Sequence, residues 1–197
     1  MKDREFPFVP FRREDHVYHN EAFAELCKDA VRAFNGTPVC EMPPPRFAGS
    51  GVYAIYCTAK KGIYERYGNK VNRMGYNVPI YVGKAVSSSN GETAGFQSMS
   101  CREQLALWHK AIRETIGIAE NDFAVRICEC ERLDEKLMDG VYDMLIDDFH
   151  PAWNEMFCRC HAADDILVRW SKIHSIRFRS RADKTVRDEM RKLLDVA

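Results

Sequence analysis

The sequence predicts an α+β domain, a small, mostly antiparallel three-stranded sheet flanked by helices. Three observations predict it. Short runs rich in Val, Ile and Tyr are bounded by Gly and Pro, as strands are. Longer segments repeat their apolar residues at helical spacing. The order of these pieces is helix, strand, strand, helix, strand, helix, followed by a charged tail. At 197 residues the chain is long enough to bury a real core but would crowd two full domains.

The first helix is predicted over 20–34, "NEAFAELCKDAVRAF". Asn20 is a good N-cap, and Phe23, Leu26, Cys27, Ala30, Val31 and Phe34 form the apolar face. "NGTP" ends it, and the stiff "EMPPPRFAGSG" leads to the first strand, "GVYAIYC" at 51–57. A long polar connection, expected to be exposed, separates it from the second strand, "PIYVGKAV" at 79–86. Both strands set a tyrosine beside a glycine. The loop after Val86, "SSSNGETAGFQSMS", contains no Lys or Arg.

A second long helix is predicted from Cys101 to Ile116, with Leu105, Trp108, His109, Ile112 and Ile116 on one stripe. "DFAVRICEC" at 122–130 alternates like a third strand. The segment beginning at Leu133 is a further amphipathic helix, with Leu137, Met138, Val141, Tyr142, Leu145 and Ile146 on its stripe, and "PAWN" at 151–154 stops it.

Composition sets few bounds on function. Net charge is zero, so no global field marks a nucleic-acid binder. The N-terminus alternates charge with aromatic residues and lacks a signal-peptide core, and no apolar run is long enough to cross a bilayer. A soluble cytoplasmic protein with eight reduced cysteines is expected, and no membrane partner.

A lone strand tyrosine is ordinarily a packing residue. Two Gly-Tyr strands followed by a helix with a histidine are more specific. "GVY" at 51–53 and "YVG" at 81–83 resemble the two halves of the GIY-YIG nuclease signature, with Val in place of Ile. "DAVRAFNGTPV", "PPPRFAGSGVYAIY", "YNVPIYVGKAV" and "PAWN" add a resemblance to the type II restriction endonucleases that cut CCGCGG sites. The resemblance implies a GIY-YIG fold over residues 1–161, with an N-terminal helical extension. Residues 162–197 are then a basic, partly helical extension of the same domain.

By this resemblance Tyr53 lies near the attacking water and Tyr81 near the phosphate, while His109 assists proton transfer and Asn154 supplies polar contacts. Lys84 raises the local positive potential, which favours a tyrosinate or hydroxide. Two positions depart from the pattern. The family's phosphate-clamping arginine, one turn before the histidine, falls on Leu105, and its metal-binding glutamate, twelve residues before the asparagine, falls on Tyr142. Mg²⁺ is implied only if nuclease activity survives.

The expected function is therefore a restriction-endonuclease homologue that binds double-stranded DNA, with phosphodiester hydrolysis weak or lost. One alternative is an active metal-dependent endonuclease that uses Asp139 or Asp143 for the ion and Arg102 for the phosphate. A second is a protein-interaction module on a retired nuclease scaffold. Residues 120–148 hold ten acidic against three basic residues, net −7, which suits a basic protein partner or a solvated back face. The tail from Arg169 to Lys192 carries nine Lys or Arg, among them Arg177, Arg179 and Arg181, which suits a nucleic-acid backbone. Palindromic cutting in the family implies a homodimer. Cys128, Cys130, Cys158 and Cys160 invite a zinc reading, but their spacing is wrong for the usual C-x₂-C knuckles and packing is the plainer expectation.

Overall fold

In the computed structural model the described residues are 12–13, 17–44, 49–61, 64–72, 74–85, 99–114, 118–130 and 135–157. The elements run α1 (Glu21–Gly36), β1 (Val39–Glu41), β2 (Gly51–Cys57), α2 (Glu65–Lys70), β3 (Tyr81–Ala85), α3 (Cys101–Arg113), a 3-10 turn (Glu120–Asp122), β4 (Phe123–Glu129), α4 (Glu135–Phe149) and α5 (Ala152–Phe157). The sheet has four strands in the order β1-β4-β2-β3, and every pairing is antiparallel. The expected count of three missed β1. That strand is only three residues long and is defined by its pairing with β4, a long-range event that local periodicity does not record.

β2 lies between two neighbours and is buried along its whole length, so both of its faces are core. Tyr53, Ile55 and Cys57 point towards α3, where they join Leu105, Trp108, Ile112 and Trp153. Val52, Ala54 and Tyr56 point the other way, onto Cys27, Val31 and Phe34 of α1 and Leu137, Val141 and Leu145 of α4. Period-two alternation in a strand thus assigns the two helical layers.

The helix ends are chemically explicit. Asn20 caps α1 as expected, its Oδ1 accepting from Phe23 N at 3.0 Å. At the other end of α1, the Arg126 guanidinium reaches across from β4 and donates to the backbone oxygens of Phe34, Asn35 and Thr37. A cation there satisfies orphan carbonyls and opposes the helix dipole. α3 begins with a full capping box between Ser100 and Glu103.

The connection between β2 and β3 is exposed at Lys60, Lys61, Glu65 and Met74, as expected, but it also carries a short helix and buried anchors that the sequence did not announce. Tyr64 is buried, in edge contact with Phe123 and Trp153. Asn72, 3 % exposed, donates to the carbonyls of Cys57 and Val78 and accepts from the amides of Asn77 and Val78. One side-chain amide thereby saturates a turn that would otherwise bury unpaired backbone. No helix among the described residues is long and apolar enough to cross a membrane.

Candidate functional site

The β2–β3 register explains the paired glycine and tyrosine. Tyr53 lies directly opposite Gly83, and Ile55 opposite Tyr81. Both tyrosines therefore face α3, with ring centroids 6.0 Å apart. A Cβ on Gly83 would stand 2.3 Å from Tyr53 Cζ, so the phenol lies flat over the neighbouring strand only because residue 83 has no side chain. Gly51 answers a different need: its missing side chain leaves room for the backbone of Cys128 on β4.

Residues 104 and 108 of α3 meet these tyrosines. Tyr53 donates to Gln104 Oε1 at 2.7 Å, and Gln104 Nε2 donates to Lys84 O at 3.1 Å and Met99 O at 3.2 Å. The Trp108 ring sits 4.9 Å from that of Tyr81 and stacks on Trp153 at 5.0 Å. Tyr53 is wholly buried and Tyr81 is 8 % exposed. Burial holds the Tyr53 phenol well above its usual range, nearby Tyr81 and Cys101 add to this, and hydrogen bonding with Trp108 opposes it. Tyr81 is also raised, by burial first and then by Tyr142. Both phenols are kept neutral, and the Tyr53 proton is committed to Gln104.

Leu105 and His109 lie one residue out of phase with this contact. Leu105 is fully buried core. His109 turns towards the 3-10 turn, its Nε2 3.3 Å from Glu120 Oε2. Sequence reasoning missed Gln104, and it placed Trp108 on the apolar stripe without a role at the site. The available signal was a polar glutamine set among Cys101, Leu105, Trp108 and Ile112 on an otherwise apolar face.

On the other side of β3, Lys84 shares a face with Val52 and points to α4. Its ammonium pairs with the Asp139 carboxylate and lies 5.5 Å from the centre of the Tyr142 ring. Asn154, on α5, accepts from Val82 N at 2.8 Å and donates to Val82 O at 2.7 Å, with a longer contact to Tyr142 OH at 3.3 Å. The structure thus brings together Tyr53 with Tyr81, and Lys84 with Tyr142, Asp139 and Asn154. Arg102 and Asp143 are exposed, while Arg177, Arg179, Arg181, Cys158 and Cys160 fall outside the described residues.

A hard divalent cation wants several oxygen donors, carboxylates foremost. Around Tyr142, Asp139 is paired with Lys84, Asp143 is exposed and acts on the phenol only through its charge, and the Asn154 oxygen already accepts from Val82. Tyr142 itself is a phenol kept neutral, chiefly by burial. This donor set does not fit Mg²⁺. Among the described residues no group of three or more His, Cys, Asp or Glu is arranged to hold a metal ion, and Cys128 and Cys130 are free thiols.

A search of curated proteins returned no match. A family model, the Eco29kI GIY-YIG domain, matches residues 45–193. That span contains both tyrosine strands, α3, β4, α4 and Asn154. The chain therefore belongs to the Eco29kI GIY-YIG domain family of type II restriction endonucleases.

Proposed function

We propose that this chain is a DNA-binding member of the family whose phosphodiester hydrolysis is weak or lost. The observation that carries the reading is the seal over Tyr53: its hydroxyl is bonded to Gln104 and buried beneath aromatic rings, out of reach of a water nucleophile. Hydrolysis needs an activated water, a counter-charge for the transition state and help for the leaving oxygen. The sequence match puts the family's arginine and histidine at Leu105 and His109, but by contact with the tyrosines it is Gln104 and Trp108, also four residues apart, that stand where such groups would act. Neither residue clamps a phosphate or shuttles a proton. With Tyr142 at the metal-binding position, three chemical groups are exchanged together.

Two assays on the full chain test this. Supercoiled plasmid with Mg²⁺ or Mn²⁺ is expected to stay intact, and fluorescence anisotropy with duplex DNA is expected to show binding that weakens steeply as salt rises. Robust nicking that Tyr53→Phe abolishes overturns the loss of hydrolysis. Failure to bind any duplex at low salt overturns the DNA reading and leaves the protein-interaction module in its place. In a gain-of-function arm, Gln104→Arg, Trp108→His and Tyr142→Glu together restore measurable nicking.

A further inference from the structure

We propose that Cys128 and Cys130 form a peroxide-oxidisable dithiol that closes reversibly to a disulfide. The two thiols are two residues apart at the end of β4, so the strand rise alone sets their Cα atoms about 6.6 Å apart. That is near the upper end of what a disulfide spans. Cys130 lies just beyond the regular strand, its thiol turns back to within 3.6 Å of the Cys128 carbonyl, and the two side chains are in hydrogen-bonding contact. Its backbone amide is held by Ser50 O at 2.9 Å, so the turn is pinned. Both thiols are free and half-buried, reachable by a small oxidant.

The electrostatics assign the roles. A hydrogen bond from Cys130 holds the Cys128 thiol down at about 7, against the opposing effect of burial, while the same contact pushes Cys130 up. Cys128 is the attacking thiolate at neutral pH. The nearby Cys101 is a poor competitor: it is buried, its thiol lies 3.6 Å from Gly51 O, and burial pushes it up to about 12.

In the first step the Cys128 thiolate attacks hydrogen peroxide. An S–O bond forms, the O–O bond breaks, and hydroxide leaves and takes up a proton as water. In the second, the Cys130 sulfur attacks the Cys128 sulfenic acid. The S–S bond forms, the S–O bond breaks, and water leaves with the Cys130 proton. Two electrons pass from sulfur to peroxide, which is reduced to two waters. A ring this small is strained, so an external thiol reopens it readily.

Peptide mass spectrometry tests the proposal on the reduced full chain. Trypsin releases "ICECER", residues 127–132, which holds this pair and no other cysteine. After limiting hydrogen peroxide and alkylation, that peptide is expected lighter by two hydrogens and unalkylated, with the loss reversed by dithiothreitol. It should form about tenfold faster than Cys40 is oxidised, since burial raises the Cys40 thiol. In Cys130→Ser the reaction should stop at a dimedone-reactive Cys128. Sulfinic acid at Cys128 with Cys130 still alkylatable, a cross-link from either residue to another cysteine, or oxidation no faster than at Cys40 each overturns the proposal.

Discussion

Tyr53, Gln104 and Gly83 form a single packed unit, and each can be tested by one substitution. Tyr53→Phe removes the donor to Gln104 Oε1 and leaves that oxygen buried without its partner. The expected loss is about 1–2 kcal/mol in a denaturant titration, with DNA affinity unchanged. Gly83→Ala is worse, because its Cβ would clash with the Tyr53 ring, 2.3 Å from Cζ. About 3 kcal/mol is expected from the forced repacking. The neighbouring positions of α3 separate structure from chemistry. Leu105→Arg drives a charge into apolar core and should abolish soluble folding, whereas Gln104→Arg meets the carbonyls of Lys84 and Met99 and should fold. Soluble yield and circular dichroism of the two variants check this. The tyrosine pair was legible in the sequence because glycine and tyrosine recur in two short strands. The phase of α3 was not. Residues 104 and 105 are neighbours on one broad buried stripe, and only contact with β2 and β3 decides which of them meets a given side chain.

Among the elements, those with local signals were the ones sequence reasoning could place. α1, α3, α4, β2, β3 and β4 carry periodicity or caps, and their observed bounds lie within a few residues of the expected ones. Ser100→Ala, which removes the side-chain cap of α3, should cost about 1 kcal/mol, measured by thermal or denaturant unfolding. The β2–β3 connection carried no such signal. Its order comes from Asn72, whose four backbone partners lie up to fifteen residues away and are set by the finished fold. Asn72→Ala should therefore cost about 3 kcal/mol, since it orphans several buried groups at once. Hydrogen exchange should show the 72–78 turn opening well before the sheet does.

For the molecule as a whole, the layered core stores several buried phenols. Tyr53, Tyr64 and Tyr81 are all held above the ordinary phenol range by burial. The unfolded chain releases those protons near pH 10, whereas the folded chain keeps them. The stability they lend is present below that value and is lost as pH climbs through the folded range. Alkaline titration should accordingly show late tyrosinate absorbance that appears together with unfolding. The edge of the sheet has its own guard. β3 is an outer strand, and Asn154 bonds both the amide and the carbonyl of Val82, while Trp153 N bonds Ile80 O. His150, in the left-handed conformation at φ 43°, lets the chain turn back from α4 to reach that position. The outer backbone groups of Ile80 and Val82 are thus occupied and are not free to pair with a further strand. It follows that Asn154 is a stitch in the hem of the sheet. A chain that had given up cutting would still unravel without it, so finding this asparagine in a relative says that the cloth is whole, not that the blade is sharp.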